Sequence, residues 1–90
     1  MPRVRFTTHL KRYFPDLSET DVDARTVSEV IAAIDQQHPG LASYLIDERG
    51  ALRTHVNLFV GGKMIEDRRT LRDEVNPSDE VFVAQALSGG

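Results

Sequence analysis

The sequence predicts an α+β domain of two layers, with a mixed sheet of about five strands packed on one main helix. Three observations carry that expectation. Between Thr26 and Pro39-Gly40 the apolar residues recur with helical spacing. The stretch "VNLFVGGKMI" alternates apolar and polar residues into a Gly-Gly pair, the pattern of a hairpin. Two more alternating stretches, "PRVRF" near the start and "DEVFVAQA" near the end, supply strands at both extremes of the chain.

In the first strand Val4 and Phe6 face one side and Arg3 and Arg5 the other. Residues 7–16 read as a loop with at most one helical turn, closed by the turn signal Pro15-Asp16. "SETDVDA" is a weak second strand around Val22. It is placed as a hairpin partner of the first, because so short a connection cannot house a crossover helix of ordinary length. Thr26 and Glu29 have the spacing of a capping box. Val27, Val30, Ile31 and Ile34 then form an i, i+3, i+4, i+7 stripe. "LASYLIDERG" reads as a short irregular helix closed by Gly50, "TLRDEV" as a short helical turn, and Asn76-Pro77 as a turn into the last strand. The expected core is Val4, Phe6, Val27, Val30, Ile31, Ile34, Val56, Leu58, Val60, Val81 and Val83.

Composition narrows the function. Ninety residues, 40% of them apolar, suit one small globular domain with a thin stability margin. A net charge of −3 gives no case for nucleic acid or an anionic membrane as partner. The longest apolar run, residues 30–34, is far too short to span a bilayer, and "MPRVRF" lacks the apolar stretch of a signal peptide. There is no cysteine, hence no disulfide, thiolate metal site or thiol nucleophile, which is compatible with a cytoplasmic location. His9, His38 and His55 are scattered, so no metal site is expected. Arg68, Arg69 and Arg72 mix with Glu66, Asp67, Asp73 and Glu74, the pattern of a solvated face. The acidic "DLSETDVD" reads as an edge that avoids strand pairing. No phosphate-binding Gly-rich motif occurs, and no nucleophile, base and orienting group assemble from these residues, so neither ATP hydrolysis nor catalysis by the chain itself is expected.

The chain closes on "QALSGG". A frayed end, a proteolytic end or a cloning remnant would leave the same letters. The strand, strand, helix, hairpin, short helix, strand order running into that diglycine resembles the MoaD/ThiS family of ubiquitin-like β-grasp sulfur carriers. The resemblance rests on "VNLFVGGKMI" at residues 56–65, "NPSDEVFV" at 76–83 and "SGG" at 88–90. Ser78 stands where the family usually has glycine in a "GDEV"-like turn. The segment "HPGLASYLIDERGALRTHVN" is similar to the CysO-type carriers of cysteine biosynthesis, and to broader MoaD-like proteins.

The resemblance implies a β-grasp domain over residues 1–86 and a flexible tail over 87–90. It implies a carrier that is a co-substrate and not an enzyme. It implies no bound cofactor, and it implies a ThiF/MoeB-like adenylating enzyme that uses ATP to activate the carboxyl of Gly90, a sulfur donor that converts it to a thiocarboxylate, and a sulfur-acceptor enzyme that takes the sulfur. Gly89 and Gly90 suit that traffic because residues without Cβ enter a narrow channel and leave the reacting carbonyl unhindered. Ordering such a tail costs roughly 1–2 kcal/mol per residue, which contacts by the folded body must offset.

Those contacts are expected on the sheet face turned from the helix. Alternation puts Phe59, Phe82 and Ala84 there, edged by Arg3, Arg5 and His55 and followed by Leu87 and Ser88. Aromatic residues and arginine are enriched at interface hot spots. Against this, lone exposed aromatics are normal, and Tyr13-Phe14 could cover one or both phenylalanines. Two other functions share the chemistry. In a protein modifier, Gly90 would acylate lysines; in a small subunit of a molybdopterin-synthase-like complex, the tail would stay inserted in a larger partner.

Overall fold

A computed structural model of the chain describes residues 1–85. The domain boundary expected at 86–87 and the residues Leu87, Ser88, Gly89 and Gly90 lie outside the described residues.

The elements, in chain order, are β1 (Arg3–Phe6), a 3-10 turn (Thr8–Arg12), β2 (Thr20–Asp21), α1 (Val27–Gln37), α2 (Leu41–Leu45), β3 (Val56–Val60), β4 (Lys63–Met64) and β5 (Glu80–Gln85). They make one five-stranded sheet in the order β2-β1-β5-β3-β4. β5 runs parallel to β1 and antiparallel to β3, so the sheet is mixed and the last strand occupies its centre. A residue there is flanked on both sides and buried on one face. That explains the apolar Val81 and Val83 toward α1, both fully buried.

α1 forms where the stripe predicts it, and its first turn is tied down from outside the helix. The first four N–H groups of a helix lack internal partners. Here Val27 N–H donates to Asp73 O (3.1 Å), Ser28 to Leu71 O (2.9 Å), Glu29 to Thr26 Oγ1 (3.2 Å) and Val30 to Thr26 O (3.0 Å). The Glu29 carboxylate reaches back to accept from Arg25 N (2.9 Å), one residue earlier than in the usual capping box. Two of these four partners come from the segment expected to be a helical turn. "TLRDEV" is not helical: residues 68–70 turn, Leu71 takes φ +58°, and an extended run passes the start of α1, with a bridge between Thr26 and Glu74. A helix there would fold its carbonyls onto itself and leave Val27 and Ser28 unpaired. Leu71 is buried, and its left-handed backbone costs about 1–2 kcal/mol, which that burial and the Ser28 bond offset.

Other differences are smaller. The second strand is Thr20–Asp21, and Val22 lies just past it, buried, with its N–H on Pro2 O (3.0 Å). The helix expected over "LASYLIDERG" ends at Leu45, and Gly50 instead closes a turn on the Asp47 carbonyl (3.0 Å). Of the expected core, Phe6 and Val60 are only half-buried, because each ends its strand. Leu41 and Leu45 join the core from α2, and Leu10, Leu17, Leu52, Ile65, Leu71 and Val75 join it from loops and short turns. The 76–79 turn accommodates Ser78: Asp79 N–H donates to Asn76 O (2.9 Å), and no positive φ occurs there.

Candidate functional site

The sheet has one face against the helices and one face open. Register fixes what stands on the open face. Arg5, Phe82 and Phe59 are consecutive cross-strand partners on β1, β5 and β3, and Met64 on β4 partners Phe59 in turn. The Phe59 and Phe82 rings lie 6.4 Å apart and tilted by 40°, a normal aromatic pair. Ala84 lies in the next row, opposite Asn57. A shallow groove of about 650 Å³ runs over this surface, lined by Arg5, Phe59, Gly61, Gly62, Glu80 and Phe82. Gly61 and Gly62 form its end, with φ of +58° and +84° as the tight hairpin requires. A side chain on Gly61 would also press on the Asp79 carboxylate, at 3.3 Å from the new Cβ.

The expected site residues come together in part. Phe59, Phe82, Ala84, Arg3 and Arg5 share the open face. Tyr13 and Phe14 leave the phenylalanines uncovered, because both pack on Tyr44 instead, at ring distances of 5.1 and 5.9 Å. His55 is not among the groove residues. It sits in the turn before β3 and lines a separate pocket with Asp47, Leu52, Arg53 and Thr54. Sequence reasoning missed Met64, which is 52% exposed. The signal was present: a two-residue turn at Gly61-Gly62 forces Val60 opposite Lys63 and Phe59 opposite Met64.

The rim is ionic and mutually compensated. Arg3 pairs with Glu19 (3.5 Å) and Asp21 (3.2 Å); Arg5 pairs with Glu19 (3.1 Å) and Glu80 (3.0 Å). Hydrogen bonds to Asp21 and Glu80 hold the two guanidiniums above their ordinary value, so both stay charged. Arg5 also lies 5.8 Å from the centre of the Phe82 ring, a cation–π contact. Thus Glu19 and Asp21 of the acidic segment around β2 are bound to the arginines. Two guanidiniums meet three carboxylates, leaving the rim with one excess negative charge.

Of the basic cluster at 68–72, Arg68 is structural. Its guanidinium donates to Asn57 Oδ1, Arg53 O and Val56 O, each at 2.8 Å, and so fixes the start of β3. The neighbouring loop is tied by Asp67, whose carboxylate accepts from the Thr70 hydroxyl and from the N–H groups of Arg69 (3.2 Å), Thr70 (2.9 Å) and Arg72 (3.1 Å). These bonds, that of the Thr70 hydroxyl first, hold its carboxyl well below the usual carboxylate range. His9, His38 and His55 lie on separate elements, and among the described residues no group of three or more His, Asp or Glu is arranged to hold a metal. No helix of the described residues is long and apolar enough to cross a membrane.

A central parallel β5, one main helix against one sheet face and an apolar strip on the other define a ubiquitin-like β-grasp protein. The sequence profile of the ThiS family matches residues 4–90, and the chain belongs to that family. A protein of Archaeoglobus fulgidus, provisionally described as a sulfur carrier protein, is 28% identical over 72 residues, which are 80% of this chain and 82% of that protein. The fold is similar to that of the crystallised BexX/CysO complex of Amycolatopsis orientalis, with a TM-score of 0.80, 26% identity and all of both chains covered. It also resembles SAMP1, the small archaeal modifier protein of Haloferax volcanii: TM-score 0.75, 24% identity, 98% of this chain and 97% of that one. The family is thus one of small sulfur carriers.

Proposed function

We propose that the protein is a sulfur carrier whose reacting group is the carboxyl of Gly90. The observation that carries this reading is the course of β5. The strand is held at the centre of the sheet and leads from Gln85 directly into "ALSGG", and the family match extends to Gly90. A carboxylate is a poor electrophile until its oxygen attacks the α-phosphate of ATP, releasing pyrophosphate and forming an acyl-adenylate. Hydrosulfide then attacks the acyl carbon and AMP leaves, which yields a terminal thiocarboxylate. A ThiF/MoeB-like enzyme supplies the ATP site, and a sulfur donor and a sulfur-acceptor enzyme complete the cycle. The chain itself is a co-substrate, and the ATP-dependent step places it in the cytoplasm. The similarity to a CysO structure favours amino-acid or cofactor biosynthesis as the destination of the sulfur.

The strip of Phe59, Phe82, Ala84 and Met64 is the face that docks on the activating enzyme in this reading, with Arg3 and Arg5 at its rim. It lies on the strand that delivers the tail, so contacts there offset the cost of ordering the tail. Incubation with a ThiF/MoeB-like enzyme, ATP and hydrosulfide should add about 16 Da to the intact mass, sulfur replacing oxygen. A variant lacking Gly89 and Gly90 should fold with the same Tm and show no gain. Failure of the intact chain to gain mass overturns the reading. Higher-mass adducts on lysines of other proteins would assign it as a modifier. Stable co-purification with a larger subunit would assign it to a molybdopterin-synthase-like complex.

A further inference from the structure

The end of β5 is held unevenly. Its pairing with β1 stops at Phe6 opposite Val83, whereas pairing with β3 continues to Val56 opposite Gln85. Ala84 and Gln85 therefore have a strand neighbour on one side only. Side chains make up the difference. Gln85 Nε2 donates to the Tyr44 hydroxyl at 2.8 Å. The Tyr44 ring is braced by Tyr13 at 5.1 Å and, edge-on, by Phe14 at 5.9 Å. Tyr44 belongs to α2, which the fully buried Leu41 and Leu45 root in the core. The start of α2 is tied by Asp35 Oδ1, which accepts from Gly40 N (3.2 Å) and Ala42 N (2.9 Å). The acceptor offered to Gln85 is thus held from the core, from the loop after β1 and from the end of α1.

From this we propose that Tyr44 and Gln85 are positioning residues: their hydrogen bond fixes Gln85, the residue from which the last five run to Gly90, and so the place that Gly90 can reach. This rests on the carrier reading. Five residues follow Gln85, and at full extension they span about 17 Å. Fraying of one residue shifts this starting point by about 3.4 Å, so the share of docked carrier whose carboxyl reaches the ATP site falls with the share of molecules in which Gln85 is held. A partner docked on the open face meets Gly90 at a defined distance only if Gln85 is held in a defined place.

The test compares Tyr44→Phe, Gln85→Leu and the double variant in adenylation by a ThiF/MoeB-like enzyme, read as ATP–pyrophosphate exchange at varied carrier concentration. Hydrogen exchange at the amides of Ala84 and Gln85 is measured alongside. Each single variant should raise KM about two- to tenfold, the worth of one hydrogen bond, with kcat little changed and faster exchange confined to those amides. In the double variant an apolar contact replaces the polar one, so KM should be no worse than in either single variant. Faster exchange with KM unchanged would overturn the positioning role. So would a fall in Tm with KM unchanged, which is what a purely structural contact gives. If the wild type is not adenylated at all, the carrier reading fails, while the exchange measurement still reports whether the clamp holds the strand.

Discussion

β5 carries two faces in six residues. Val81 and Val83 point at α1 and are fully buried, whereas Phe82 and Ala84 point away and remain half-exposed. On β3, Val56 and Leu58 are likewise fully buried, while Asn57 and Phe59 are half-buried on the opposite face. Both faces carry apolar side chains, yet among the described residues only one face is covered. A residue under α1 reports on stability, and a residue on the open face should report on association. The division matters because a small domain has little stability to give up.

The largest effect tests the covered side. Leu58→Ala should lose about 2–5 kcal/mol of unfolding free energy, the range for emptying a fully buried leucine site, measured by urea denaturation. A loss under 1 kcal/mol would mean that β3 is less firmly packed than its burial indicates.

Phe82→Asp tests the open side. It should lower kcat/KM for activation by roughly thirtyfold, as loss of an interface hot spot does, while the Tm moves little. Unchanged kinetics with the activating enzyme would remove this face as the docking surface. Collapse of the fold would erase the contrast between the faces.

The smallest effect separates their charges. Asp67 holds its loop through bonds to its ionised form, and its carboxyl lies below the usual range. A carboxyl depressed in the folded state contributes stability that is present above its unfolded value, near pH 4, and lost as the pH falls below it. Thermal melts should therefore be level from pH 7 to about pH 5 and decline under about pH 4, and Asp67→Asn should flatten part of that decline. Arg5→Ala, which removes exposed ion pairs on the open face, should cost little stability at neutral pH, with the Tm nearly unchanged. A larger cost would show that the rim also supports the fold.

Whatever depended on neighbours in the chain was open to reading. The Thr26 cap, the stripe of α1, the Gly61-Gly62 hairpin and the alternation along β1, β3 and β5 all follow from spacing, and five open-face residues followed from alternation alone. The central place of β5 does not follow from periodicity. What escaped was set by partners far along the chain. "TLRDEV" carries helical letters, yet the unpaired N–H groups of Val27 and Ser28 claim its carbonyls. Arg68 sits in a run of mixed charge, yet three acceptors around the start of β3 hold its guanidinium. Tyr13 and Phe14 are the right kind of residue to cover Phe82, but Tyr44 draws them to the other side of the sheet. Local sequence determined the elements and the face each side chain takes, because backbone geometry repeats every few residues. Only the tertiary structure decided which loop carbonyl, carboxylate or ring would meet each free donor, because that choice is made by groups brought together when the core closes.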